Sequence, residues 1–202
     1  VTSARGRWLQ RTAAWGVLAF AAVVVVEHAL VPDLSPLTHE VSEYANSRYG
    51  ALMVAGFVAW ALSLAATAAT VDPSHRGPAR TTLAGLLLVA SVGLLLTACF
   101  HTQTSAGHLP PGVRASTTGE LHNLASGVAM IALWLAAPVS FLVISDRSYR
   151  RVTIALIVLA VAGTIVLVAI GPSVAGLRQR CLLAVACTWQ LALLRSLSEQ
   201  RQ

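Results

Sequence analysis

Glu27, His28, Asp33, His39, Glu40, Glu43, His101, His108, Glu120 and His122 make up five of the six histidines and five of the eight acidic residues of this 202-residue chain. All ten fall where one end of a set of long apolar segments is expected. Imidazoles and carboxylates in one place can take and give protons near neutral pH, or ligate a divalent metal that activates water. Ionisable groups are costly beside hydrocarbon, so their gathering on one side points to where any chemistry occurs. Glu27, His28, Glu43 and His122 are the candidates for acid–base roles. His39, His101, His122 and Glu43 form a candidate metal set, since two or three imidazoles with a carboxylate suit an ion such as zinc. No H-x-x-x-H or H-E-x-x-H spacing is present, and Ser42 has no surrounding sequence that marks a nucleophile.

These residues need elements to position them, and composition says which. The chain is 56% hydrophobic and 11% charged with a mean hydropathy of +0.71. A water-soluble domain of this size must keep a charged surface, so the solvent of this fold is lipid. A bilayer core of ~30 Å takes about 20 helical residues at ~1.5 Å each. Six segments qualify, near Ala13–Val31, Tyr49–Thr70, Thr81–Phe100, Gly119–Ile144, Val152–Ile170 and Leu177–Leu194. Period-two alternation is absent and the runs are too long for strands, which excludes a barrel. The expected fold is all-α, a polytopic six-helix bundle forming one membrane domain over residues 1–202.

Orientation follows from the arginines. There are 14 and no lysine; Arg5, Arg7, Arg11, Arg76, Arg80, Arg147, Arg150, Arg151, Arg195 and Arg201 fall on one side, with Arg48, Arg114, Arg178 and Arg180 on the other. By the positive-inside rule both termini face the cytoplasm and the His/Glu cluster faces outward; all-Arg basic usage with abundant Ala, Val and Leu suggests a GC-rich bacterial genome, so a bacterial cytoplasmic membrane is expected. The first apolar run continues to Val26 and ends at Glu27-His28 without a small-residue cleavage site, which predicts a retained helix. Arginines dispersed at helix ends do not suggest nucleic-acid binding; membrane lipids are the expected partners.

The basic connections, Val71–Arg80 and Ser145–Arg151, are short. The other two, Pro32–Arg48 and His101–Thr118, are longer and richer in polar groups, as functional loops tend to be. Ser35-Pro36 predicts a short interfacial helix over Thr38–Asn46, on which His39 and Glu43 share one face. Ser116, Thr117 and Thr118 are candidate caps for the fourth helix, with Glu120 favourably placed in its first turn.

HEVSEYAN before the second helix, CFHTQTSAGH ending the third, TTGELHNLASG opening the fourth and GLRQRCLL opening the sixth occur in this order. Together they resemble the bacterial multi-pass membrane family catalogued as domain of unknown function 998, across nearly the whole chain. Ser42-Glu43-Tyr44 and Leu121-His122 are the most specific pieces. The resemblance implies a six-helix membrane bundle and brings no established reaction. Relatives tend to carry Pro and then an acidic residue after the Phe that ends helix three; here His101-Thr102-Gln103 follows Phe100, so a role for a carboxylate there does not carry over.

Each candidate also has a purely structural reading. Glu27-His28 and His39/Glu43 could be interface-level pairs, His122 a hydrogen-bonded ring at a helix start, His108 and His75 ordinary loop residues, and Arg178 with Arg180 interface anchors. Cys99, Cys181 and Cys187 lack C-x-x-C spacing and read as small buried residues, with a Cys99–Cys181 pairing left open. Trp8 and Trp15 suit an interface belt, while Trp60, Trp134 and Trp189 suit packing. Ala61, Ala65 and Ala69 predict a close helix crossing. Three functions remain open: a metal-dependent intramembrane hydrolase acting on a lipid; a module that binds or transports a small molecule, ion or lipid; and a structural partner protein.

Overall fold

The computed structural model describes residues 4–71 and 77–200; the sequence readings of His75, Arg76 and Arg201 lie outside them. Six long helices run in order: α1 (Ala4–Leu30), α2 (Gly50–Thr70), α3 (Pro78–Cys99), α4 (Thr117–Val139), α5 (Arg147–Ile170) and α6 (Ala175–Glu199). All six are long and apolar enough to cross a membrane. Among the described residues there is no β-strand, and a short 3₁₀ segment, Val41–Asn46, lies between α1 and α2. With six spans, Ala4 and Glu199 sit on the same side.

Local chemistry explains where the helices depart from the expected bounds. α1 starts nine residues early, because the arginines before the apolar run are good helix formers and carry it past the bilayer. α5 starts at Arg147 because the Asp146 carboxylate caps it, accepting from Tyr149 N at 2.7 Å and Ser148 N at 3.3 Å. α4 begins under a Ser116 cap that accepts from Gly119 N at 3.3 Å. Its end is set by Pro138, which lacks a donor and crowds the preceding turn, so the chain passes into a 3₁₀ turn at Ser140–Leu142. α6 continues to Glu199, where an exposed Arg195–Glu199 pair at 2.9 Å spans one turn.

Close crossings come from small residues. A Cβ on Gly16 would lie 2.6 Å from Ala59 O, and one on Gly93 2.8 Å from Ala125 O, so α1/α2 and α3/α4 touch backbone to backbone there. The Ala61 stripe contributes only in part: Ser91 Oγ donates to Ala61 O at 2.7 Å, while Ala69 faces outward. Phe20 stacks on Trp60 with centroids 4.6 Å apart, and Met53, Leu64, Leu83, Leu87 and Leu193 fill the core around them. α5 packs chiefly on α6, with 11% of its apolar window buried against 56% for α2. α4 and α6 stand farther apart along their backbones and meet through side chains, Leu133, Trp134 and Ala137 facing Val185, Ala186 and Trp189.

Several polar groups inside the apolar bundle are paired. Gln190, fully buried on α6, accepts from Trp60 Nε1 at 2.9 Å, and its amide donates to Ser63 Oγ at 2.8 Å and Thr67 Oγ1 at 2.9 Å. Ser63 Oγ passes the chain on to Ala13 O of α1. Three helices are tied through one amide, which satisfies groups that hydrocarbon would leave bare. A second knot joins Ser140 Oγ, the Tyr149 hydroxyl at 2.6 Å and Trp189 Nε1 at 3.0 Å from that hydroxyl.

Candidate functional site

The two long connections fold onto the bundle end. The first crosses as a strap: Leu177 N donates to Leu37 O at 3.0 Å, and Val41 N to Gln179 Oε1 at 2.5 Å. Gly176 lets the strap lie against α6, since a Cβ there would fall 2.8 Å from Pro36 O and also meet His39 O. The second connection is held by Glu43, which is buried and accepts from Ala106 N at 2.9 Å and Gly107 N at 2.8 Å. Those two residues turn the chain at positive φ, 53° and 78°, a conformation the paired carboxylate contacts help to fix. Asn46 Nδ2 adds a bond to Thr102 O at 2.8 Å, and Gln103 Oε1 accepts from Ser116 N at 2.6 Å.

The expected Thr38–Asn46 helix is shorter than the sequence reading: helical turns start only at Val41, and they are 3₁₀. His39 precedes them, so it does not share a face with Glu43. Instead its carbonyl accepts from Arg180 Nη1 at 2.6 Å and its ring lies 3.0 Å from Thr38 Oγ1. His101 and His108 are exposed loop residues. With Glu43 committed to two backbone donors, His39, His101, His122 and Glu43 do not converge, and among the described residues no three His, Cys, Asp or Glu side chains form a metal-holding group. Cys99, Cys181 and Cys187 are free thiols; Cys99 and Cys181 are exposed rather than buried as the sequence suggested.

Arg180 has a larger part than an interface anchor. Its Nε donates to His28 Nε2 at 2.8 Å, Nη1 also reaches Gly176 O at 3.0 Å, and the guanidinium lies 5.4 Å from the centre of the Tyr44 ring. His28 Nδ1 donates to Val24 O, so this ring must be the neutral tautomer with a lone pair on Nε2. Tyr44 closes the knot by donating to Leu34 O at 2.8 Å, and burial pushes its phenol pKa up. Glu27 lies fully buried nearby, with neither carboxylate oxygen hydrogen-bonded.

Glu40, on the strap, has its carboxyl pKa raised by burial first and by the charge of Glu43 second, offset in part by Arg178, His108 and Arg180. A raised folded-state value means the fold binds this proton more tightly than the unfolded chain does. Stability therefore falls as pH rises from the ordinary value of 4.5 through the raised one, and stays lower at neutral pH. Glu40→Gln removes that penalty. Thermal melts should show the variant above the wild type at pH 7, with the gap closing as pH falls toward 4.5.

Beneath the strap lies a cavity of 160 Å³ between α2, α3, α4 and α6. Its α4 wall is His122, Asn123, Ser126, Met130 and Trp134, the i, i+4 stripe of one helix face, facing Gln179, Leu182 and Leu183 of α6. From His122 to Trp134 the slot runs about 18 Å at 1.5 Å per residue. One end is polar, with Glu40, Ser42, Thr97, His122 and Gln179; the other is walled by Phe57, Trp60, Leu94, Met130 and Trp134. His122 is buried and its Nδ1 donates to Phe100 O at 2.7 Å, so in the neutral ring Nε2 keeps the lone pair. Because Asn123 is exposed and Ser126 and Met130 are half-buried, the slot's flank opens sideways toward lipid.

Of the four acid–base candidates, the structure thus puts His122 on the slot, Glu43 in the loop clamp, His28 in the Arg180 knot and Glu27 alone beside it. Sequence reasoning did not single out Gln179 or Gln190 and read Arg180 only as an interface anchor; a lone Gln within an apolar span was the available signal for Gln190.

The family model described as a protein of unknown function, DUF998, matches residues 14–196. The chain belongs to this family. No curated protein and no solved structure matches it. In this DUF998 protein the matched region takes in the strap, the second connection and every residue of the slot.

Proposed function

We propose that this DUF998 protein binds one amphiphile, a membrane lipid, in the slot between α4 and α6. The polar head meets His122, Ser42 and Gln179 beneath the strap, and the apolar chain runs toward Met130 and Trp134. One observation carries the reading: a single cavity about 18 Å long is polar at its strap end, apolar at its other end, and open on its flank to the bilayer. A ligand soluble only in water would have no use for the apolar half, and a bulk lipid none for the polar groups buried above it. The lipid would enter sideways, without crossing the strap.

Lipid extracted from detergent-purified protein tests the reading. The wild type should retain a defined lipid species, and His122→Ala should lower retention about tenfold, the loss of about 1.4 kcal/mol expected of one polar contact. Equal retention by both, or none by the wild type, would contradict it. We also place both termini in the cytoplasm of a bacterial cell, with the strap outside, on the ten-to-four division of arginines. Reporter fusions at both ends should report cytoplasmic locations, and an external C-terminal reporter would overturn that orientation.

A further inference from the structure

We propose that Ser42 and His122 form a nucleophile–base pair that transfers the acyl group of an ester lipid to water. This rests on the slot reading and adds a reaction to it. Both residues line the polar end of the same cavity. Ser42 is buried, yet its hydroxyl makes no hydrogen bond with the described residues and is not sealed off as an orphaned group, so it opens on the cavity. His122 is oriented by its Nδ1 bond to Phe100 O at 2.7 Å, which leaves Nε2 as the basic nitrogen. A base held by a third group through its far nitrogen is the arrangement serine nucleophiles need, with a backbone carbonyl here as the orienting acceptor. The two side chains are not hydrogen-bonded to each other, and such bonds commonly tighten only with substrate in place.

Gln179 supplies the third part. Its Oε1 is occupied by Val41 N at 2.5 Å, which fixes the amide flip and leaves its Nε2 hydrogens without a protein partner, beside the residue that precedes Ser42. That amide is the donor for an oxyanion. No Lys or Arg lines the slot and the Glu40 carboxylate does, so the head that fits carries no negative charge, which excludes an anionic ester head.

The step balances as follows in atoms. Ser42 Oγ bonds to the ester carbonyl carbon while its proton passes to His122 Nε2. The tetrahedral oxyanion accepts a hydrogen bond from Gln179 Nε2. Collapse breaks the ester C–O bond, and the proton on Nε2 goes to the leaving alkoxide, giving the alcohol. Water then repeats the sequence on the acyl-Ser42 ester and releases the carboxylic acid.

The test uses the full chain in detergent with dodecyl fluorophosphonate, read by peptide mass spectrometry. A covalent adduct on Ser42 is expected, absent in Ser42→Ala. The informative variant is His122→Asn, whose amide can still donate to Phe100 O and so keep the fold while removing the base. Its labelling rate should fall at least about 100-fold, the usual contribution of a general base, at an unchanged melting temperature. No adduct on Ser42, or labelling indifferent to His122→Asn, overturns the pair. Lipid retained by a wild type that takes no label sinks the chemistry and leaves the binding reading standing, whereas absence of both sinks the two together.

Discussion

Gln190→Ala is expected to be among the most destabilising single changes in the bundle. The substitution strips partners from Trp60 Nε1, Ser63 Oγ and Thr67 Oγ1 at once and leaves a void where a fully buried side chain stood. Each interhelical hydrogen bond in a membrane protein is worth about 0.6–2 kcal/mol, and the cavity adds to that. A loss of about 2–4 kcal/mol is expected on these magnitudes. Gln190→Glu separates shape from hydrogen bonding, because it keeps the acceptor for Trp60 but has no amide to donate to Ser63 and Thr67. Thermal unfolding in detergent should rank wild type above Gln190→Glu and Gln190→Ala. A Gln190→Ala protein that melts with the wild type would show that α1, α2 and α6 are held by apolar packing alone.

Glu43→Ala should cost about as much, by a different route. Two backbone donors in the second connection lose a charged acceptor, and hydrogen bonds to charged groups contribute about 1.5–3 kcal/mol each. The positive-φ turn at Ala106-Gly107 then has nothing holding it to the strap. Hydrogen exchange should rise at Ala106 and Gly107 while the cores of α2 and α3 stay protected. Glu43→Gln keeps one acceptor and turns an NH₂ toward the other backbone donor, so it should fall between wild type and Ala. If Glu43→Gln left stability and exchange untouched but abolished lipid retention, Glu43 would belong to the binding site rather than to the clamp.

Much of the fold was legible because lipid imposes few solutions: length, apolarity and the lack of alternation leave six helices. The gathering of titratable groups at one end was legible for the same reason, since they are excluded from hydrocarbon. Their pairing was not. Glu43 was matched with His39 by α-helical spacing, but the strap turns only from Val41 and in 3₁₀ geometry, which rotates Glu43 toward the second connection. Arg180 looked like an anchor because its partners, His28 and the His39 carbonyl, lie over 140 residues away along the chain and nothing local announces them. The slot was half-visible: Asn123, Ser126, Met130 and Trp134 keep one-turn spacing on α4, but an i, i+4 stripe does not say whether it meets another helix or a gap.

The binding claim is tested most directly by plugging that gap. Ser126 lines the slot midway along its length and is half-buried, so Ser126→Trp would fill the lipid path without touching the strap, the Gln190 network or the loop clamp. Native mass spectrometry of the two proteins from the same detergent should show the wild type carrying one lipid per chain and Ser126→Trp carrying none, at matched melting temperatures. A wild type without bound lipid, or a plugged variant that holds the same lipid equally well, would contradict the account.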